Sequence, residues 1–271
     1  EYASAFEREA QLLAALRYPA LPKVIDYFRY DDGRFLVMEF FSGADLAALQ
    51  ARRGGPFPTA DVLDWADQLL GALDYIHTRK PPVLHRDIKP QNLKLTPDGQ
   101  VVLLDFGLAK GPAADGEAPS FFGYTLQYAP LEQIDGSGTE PRSDLYALAA
   151  TLYHLLSERP PPNAPVRADA LLAGRPDPLR PLHETNPAVS FEVSSVLGQA
   201  LALLRDERPA TAAIMREQLH AAGLTDARTA IGRPAPPPRA ATPEPAAAPV
   251  ERPISVAWEQ VRQAAQFQIE P

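Results

Sequence analysis

The chain has 271 residues, 45% of them hydrophobic, enough to bury a sizeable core in one large domain or two small ones. Its formal charge of -8 disfavours a nucleic-acid or anionic-membrane surface, because both attract basic faces; with no cysteine it forms neither disulfides, thiolate zinc sites nor a cysteine nucleophile. The longest apolar stretch, Leu145 to Leu156, is well short of the roughly 20 residues that a membrane span needs, so no membrane span in this segment and no signal peptide are expected; the lack of cysteine fits a cytoplasmic protein, with tethering to a membrane from outside this segment left open, and the start at Glu1 reads as a cut.

Residues 4 to 17 read as an amphipathic helix with Phe6, Ala10, Leu13 and Leu16 on one side and Glu9 beside that face. Residues 23 to 29 and 34 to 40 read as two strands joined by a turn at Asp31, Asp32 and Gly33. After a glycine- and proline-rich loop at 53 to 58, Thr59 is placed to cap a helix running to about Thr78. Val62, Trp65, Ala66, Leu69, Leu73 and Ile76 recur there at three- and four-residue intervals, and His77 at its end reads as structural.

Val83 to Lys110 organises the rest. It reads as a loop (Leu84 to Asn92), a short strand (Leu93 to Leu95), a turn at Pro97, Asp98 and Gly99, a second strand (Val101 to Leu104) and a loop at Asp105. Such a hairpin sets the residues before and after it side by side, so Asp87, Lys89, Asn92 and Asp105 converge on one cleft. Phosphoryl transfer needs an acceptor for the incoming hydroxyl's proton, a cation on the transferred phosphate and oxygen ligands for magnesium. Asp87, Lys89, and the pair Asn92 with Asp105 supply those parts in turn. Any one of them alone would serve as a loop cap; the set at this spacing carries the chemistry.

Further on, Ser143 is placed to cap a helix with Leu145, Leu148, Leu152, Leu155 and Leu156 on one face. Residues 159 to 187 read as a proline-rich loop with a short helix around Ala168 to Leu172, and amphipathic helices at about 191 to 204 and 210 to 222 complete a helical lobe. From 223 to 253 alanine, proline and arginine with few large apolar residues predict a disordered linker, and 254 to 271 a short tail with a helix carrying Trp258 and Val261 on one side.

The run His85-Arg86-Asp87-Ile88-Lys89-Pro90-Gln91-Asn92, followed by Asp105-Phe106-Gly107, resembles the catalytic and magnesium loops of protein kinases, and a lysine two residues after Asp87 resembles the serine/threonine branch. The alanine-, proline- and arginine-rich style and the TLQYAPLEQ segment look bacterial. The resemblance covers about residues 1 to 222 and implies an α+β, two-lobed protein-kinase-like fold. Its small strand lobe, 1 to 41, lacks the glycine-rich loop and strand lysine, and its large lobe, 42 to 222, is mainly helical. The implied function is a serine/threonine protein kinase of bacterial signalling that moves the γ-phosphate of ATP to a protein hydroxyl with magnesium. Its implied partners are ATP and a protein substrate, with no nucleic acid, and the chain as it stands is expected to turn over poorly.

Residue by residue, the resemblance makes Asp87 the general base, Lys89 the neutraliser of the transferred phosphate, and Asn92 and Asp105 the magnesium ligands. Glu9 would pair with the strand lysine. Met38 would be the gatekeeper, though it reads equally well as core filler; the backbone of Glu39 and Phe41 would bond the purine, and Asp45 a ribose hydroxyl. Lys94 falls where an apolar residue usually lies beneath the adenine, and its stem could form that floor while the ammonium reaches water. His85 and Phe106 would join Leu13 in an apolar column between the lobes, and Gly107 completes the magnesium-loop motif. Arg86 resembles the arginine of kinases switched on by phosphorylation in the activation segment, 108 to 133; Ser120 is the candidate switch or else an unmodified loop serine, and Thr125 sits where the family contacts substrate. Tyr128-Ala129-Pro130-Leu131-Glu132-Gln133 resembles the Ala-Pro-Glu motif, with Glu132 pairing structurally with Arg208. Asp144 resembles the aspartate that anchors the catalytic loop, against the simpler reading of an acid favoured by a helix dipole. Two rival readings are a pseudokinase-like scaffold or binding module, kept open by Lys94 and the missing phosphate loop, and a small-molecule phosphotransferase, opposed by Thr125, the Ala-Pro-Glu-like segment and the Glu132 with Arg208 pairing.

Overall fold

The structure is a computed structural model that describes residues 12–30, 33–106 and 126–230, the last seven by backbone only, as are 29–30 and 33–34. Glu9, Gly107, Ser120 and Thr125, the turn residues Asp31 and Asp32, and the expected linker and tail from 231 onward lie outside the described residues.

Of the first expected helix, residues 12–14 are described as helical, and Leu13 and Leu16 are buried. Two antiparallel strands follow, β1 (Val24–Tyr30) and β2 (Gly33–Met38), with Val24 opposite Met38 and Phe28 opposite Phe35, whose rings stack at 5.3 Å. A short strand β3 (Ala44–Asp45) leads into α1 (Leu46–Arg53), which Asp45 caps by accepting the Ala48 N–H at 2.8 Å and which Gly54 ends in the left-handed region at φ 62°. Gly43, just before β3, has φ 120°, and a Cβ there would meet the Leu95 carbonyl oxygen at 2.1 Å, so only glycine fits.

Helix α2 (Thr59–His77) buries the expected face, Val62, Trp65, Ala66, Leu69, Leu73 and Ile76, together with Leu70. Its cap is Pro58 and not Thr59: Thr59 is already inside the first turn, and its hydroxyl donates across the lobe to the Ala188 carbonyl at 3.2 Å. A 3₁₀ turn (Pro90–Asn92) enters β4 (Leu93–Leu95), which lies between β3 and β5 (Val101–Leu103) in a three-stranded antiparallel sheet. Leu93 faces Leu103 and Leu95 faces Val101, so the hairpin's odd-numbered residues turn to the core while Lys94 and its partners Asp45 and Val102 share the other face. At the turn, Gly99 takes φ 86° and donates to the Thr96 carbonyl.

The helical lobe packs around α4 (Pro141–Ser157), nearly all of whose residues are buried, as a helix apolar on every side must be. Glu140 is its N-cap, and Ser143 sits three residues inside. Pro141 takes the first helical position, for which its fixed φ is suited, so the helix starts earlier than a Ser143 cap would allow. Before it lies α3 (Leu131–Ile134). After it come α5 (Ala164–Leu172), which begins ahead of the expected Ala168 because Asn163 caps it and Pro165 occupies its first turn, and α6 (Leu182–Thr185). Then α7 (Phe191–Ala200) is capped by Ser190 and gives way before the expected residue 204 to a turn leading into a 3₁₀ turn, Arg205–Glu207. Helix α8 (Ala212–Ala230) runs past the expected end at 222, because the next proline is Pro234 and alanines at 227 and 230 favour helix. Among the described residues no helix is long and apolar enough to cross a membrane.

Candidate active site

The loop from His85 to Asn92 is held from three sides. Asp144, in the first turn of α4, accepts the backbone N–H of His85 at 2.9 Å with one carboxylate oxygen and that of Arg86 at 2.8 Å with the other. Arg86 is left-handed at φ 65°, a conformation that costs a non-glycine residue about 1–3 kcal/mol and persists only where the surroundings over-determine it. Besides Asp144, the Gln133 side-chain amide supplies that constraint by donating to the Arg86 carbonyl at 2.7 Å. The strain therefore sets the direction of the next residue, Asp87.

His85 is fully buried, and its neighbours decide its tautomer: Nδ1 accepts from the Asp87 N–H at 3.3 Å and Nε2 donates to the Leu104 carbonyl at 3.0 Å. Burial lowers its pKa, which keeps it neutral, and Phe106 lies against its ring at 4.6 Å. Phe106 packs on the same core that contains Leu13. His77 at the end of α2 meets the Asp144 carboxylate at 2.9 Å. Burial alone would raise the Asp144 carboxyl, but His77, His85 and the Arg86 N–H together outweigh it and hold the group below the usual carboxylate range.

The Asp87 carboxylate lies 3.0 Å from the Lys89 ammonium and accepts at 3.0 Å from the Asn92 amide, which also donates to the Asp87 carbonyl at 2.8 Å. Both Asn92 donors thus face Asp87, and its Oδ1 is turned away from that carboxylate. The Leu104 N–H donates to the Asn92 carbonyl at 2.8 Å, which lays the strand end bearing Asp105 against the loop. Asp105 is exposed and left-handed at φ 57°. Among the described residues no group of three His, Asp or Glu could hold a metal. Magnesium bound through phosphate oxygens and water needs only one or two protein carboxylates, and Asn92 Oδ1 with Asp105 fits that requirement.

Met38 is half-buried at the end of β2 and packs on the core. The Glu39 N–H donates to the Lys23 carbonyl at 2.8 Å, and among the described residues nothing bonds the Glu39 carbonyl or the Phe41 backbone. Asp45 accepts the cap bond with Oδ1, and among the described residues nothing bonds its Oδ2. The Lys94 ammonium lies over the Phe40 ring, 5.0 Å from its centre.

In the helical lobe, Arg208 grips Glu132 at 2.6 and 3.1 Å while Ser143 donates to the same carboxylate at 2.8 Å. Sequence reasoning missed Gln133, which carries no signal of its own beside Glu132. It also missed Thr151, whose hydroxyl donates to the Ala147 carbonyl at 2.8 Å and lies 3.4 Å from the Ile88 carbonyl of the loop; a polar residue amid the helix's apolar middle is a usable cue. The bond of Tyr128 to His154 at 2.7 Å went unseen too; burial pushes that phenol up to about 12.

A family model described as the protein kinase domain matches residues 1–219. A probable serine/threonine-protein kinase of Streptomyces coelicolor is 34% identical over 226 residues, 80% of this chain and 33% of that protein. The serine/threonine-protein kinase PknB of Mycobacterium leprae is 32% identical over 223 residues, 79% of this chain and 35% of that protein. The chain spans about a third of the length of these curated relatives. Among solved structures, the apo form of PpkA-294 matches with a TM-score of 0.67 and 31% identity, covering 80% of this chain and 74% of that one. The C20A mutant of the Mycobacterium tuberculosis PknI kinase domain matches with a TM-score of 0.65 and 26% identity, covering 82% and 78%. The two-lobed α+β architecture expected from the motifs is the architecture of these neighbours. The loop geometry and the extent of these matches agree, and the chain belongs to the protein kinase family, among its bacterial serine/threonine members.

Proposed function

We propose that this chain is the catalytic part of an ATP-dependent serine/threonine protein kinase acting in bacterial signalling, with a protein as its phosphate acceptor. The observation that carries the reading is the Asp87 cluster: a carboxylate aimed by a strained, doubly anchored backbone and held between Lys89 and Asn92. In the reaction, a serine or threonine oxygen bonds to the γ-phosphorus as the bond from that phosphorus to the bridging oxygen breaks. ADP leaves, and the hydroxyl proton passes to Asp87. Lys89 offsets charge on the moving phosphoryl group. Magnesium, held by Asn92 and Asp105, would neutralise charge on the ATP phosphates. The Glu39 carbonyl and the Phe41 backbone bond the purine beneath Met38, Asp45 takes a ribose hydroxyl through Oδ2, and Glu9 serves the strand lysine.

Arg86 supports a regulatory extension of this reading. Its Nε is buried without a hydrogen-bond partner among the described residues, an arrangement that a phosphate would complete. Ser120 is the proposed site of that phosphate, with Thr125 on the substrate side; a phosphopeptide map of the active protein that shows Ser120 unmodified removes this assignment. The charge of -8 and the family's substrate class favour a protein acceptor over nucleic acid, and the proposed location is the cytoplasm.

The test is transfer of labelled phosphate from ATP with magnesium to a generic basic protein. It is run for this chain alone and for the chain preceded by a glycine-rich loop and strand lysine, each beside its Asp87→Asn variant. Transfer that Asp87→Asn abolishes supports the kinase. Folded protein that transfers no more than Asp87→Asn in either form overturns it in favour of the scaffold.

A further inference from the structure

Lys94 is out of keeping with its place. Paired residues on neighbouring strands share a face, so Asp45, Lys94 and Val102 form a row across the sheet β3-β4-β5. Val101 and Leu103 belong to the main core, whereas Val102, though fully buried, does not, which marks the row as a separate face. Lys94 stands half-buried at its centre.

Ordering a half-buried lysine costs side-chain entropy that a shorter apolar residue would avoid, unless an anion pairs with its charge. No carboxylate does so among the described residues. The cross-strand neighbour Asp45 is engaged at Oδ1 by the Ala48 N–H. The recorded contact of the ammonium is the face of Phe40, and that ring is 81% exposed. Phe40 sits between Glu39 and Phe41, so the lysine crosses from the central strand to the segment whose backbone is proposed to bond the purine. With the ammonium over that exposed ring, a four-carbon stem that starts on β4 can line the face while its charge is held at the rim.

We infer that Lys94 makes this site select by ligand charge, its stem lining the purine face and its ammonium, parked over Phe40, favouring the anionic nucleotide over the uncharged nucleoside. The inference rests on the proposal that this face receives a purine nucleotide. The phosphates need not touch the lysine. A cation within about a Debye length, roughly 8–10 Å at moderate salt, still attracts several negative charges, enough for about a threefold to tenfold gain in affinity that added salt erodes.

The test is equilibrium titration of ATP and of adenosine, without magnesium, into the chain, Lys94→Met and Lys94→Arg at low and high salt. Methionine keeps an unbranched stem and removes the charge. The ratio of ATP to adenosine affinity is expected to fall by about three- to tenfold in Lys94→Met, to persist in Lys94→Arg, and to be less sensitive to salt in Lys94→Met than in the wild type. A ratio in Lys94→Met equal to that of the wild type overturns the inference while leaving nucleotide binding intact. A wild-type chain that binds neither ligand overturns the nucleotide reading and this inference with it.

Discussion

Arg208 and Glu132, 76 residues apart in the chain, are joined by two parallel hydrogen bonds in the interior of the helical lobe, with 0% and 7% of their side chains exposed. Arg208 further donates to the carbonyls of Ala202 and Leu203 and lies over the Tyr146 ring at 4.9 Å. Burial would raise the Glu132 carboxyl, yet the guanidinium beside it prevails and holds it below its ordinary value. Removing one partner leaves the other charged and unpaired in the interior, so Glu132→Ala or Arg208→Ala should each destabilise the fold by about 3–5 kcal/mol in urea unfolding. The pair Glu132→Leu with Arg208→Met should cost clearly less than the sum. Additive losses would show that the two residues act independently.

Asp144 does for the loop what Arg208 does for the lobe. Asp144→Asn keeps the shape but turns one oxygen into a donor, which must face either the His85 or the Arg86 N–H. The left-handed Arg86 then loses one of its restraints and Asp87 is displaced. A misplacement of about 1 Å can cost on the order of 10²-fold in rate, so phosphate transfer should drop by about that much while ATP affinity, which is proposed to rest on Met38, Glu39, Phe41 and Asp45, stays within about twofold. Equal losses in affinity and turnover would argue for general unfolding instead.

The sequence displayed the loop motif, the hairpin and most helices because each has a local signature: a turn with glycine, an apolar period, a fixed spacing of polar groups. Long-range bonds had no such signature except through the family resemblance, which pointed to Asp144 and to Glu132 with Arg208. Gln133 at the Arg86 carbonyl and Tyr128 at His154 join residues 47 and 26 apart, and nothing in either segment announces its partner. Helix starts were misjudged for one recurring reason. At Thr59 and Ser143 a hydroxyl offers itself as a cap, but Pro58 and the Glu140-Pro141 pair set the first turn. Lys94 was visible as a departure, whereas its rest on Phe40 required coordinates.

Stability should decline in two steps as the solution is acidified. His85 and His154 are both held below their ordinary pKa by burial, so from about pH 6.5 downward the unfolded chain binds protons that these folded imidazoles refuse. Below about pH 4 the unfolded carboxyls take up protons while Asp144 and Glu132, whose folded values are lowered, remain ionised; their contribution is present above the unfolded pKa and is lost as pH falls through the folded one. At the alkaline end the sign reverses: Tyr128, pushed up to about 12, contributes stability below about pH 10 that is lost as pH rises toward its folded value. Thermal midpoints across pH 3 to 11 should therefore peak near neutrality, and a flat profile between pH 7 and 5 would contradict the assignment of buried neutral histidines.

Gly71, in the middle of α2, offers a test whose sign depends on a second residue. A Cβ at this position would lie 2.3 Å from the Tyr18 hydroxyl oxygen, so Gly71→Ala forces Tyr18 to move. Tyr18 packs on the Tyr75 ring at 5.2 Å, and the Tyr75 hydroxyl accepts the Arg17 N–H at 3.0 Å, so the displacement spreads to the segment that follows the first helix and its buried Leu13. Overpacking of this kind costs about 1–3 kcal/mol, against a gain of about 1 kcal/mol from replacing glycine by alanine inside a helix. In the wild type the clash should win and Gly71→Ala should lower the thermal midpoint. In Tyr18→Phe, which removes the clashing oxygen, the same substitution should become neutral or raise it. A decrease of the same size in both backgrounds would mean that Gly71 is required for some contact other than Tyr18.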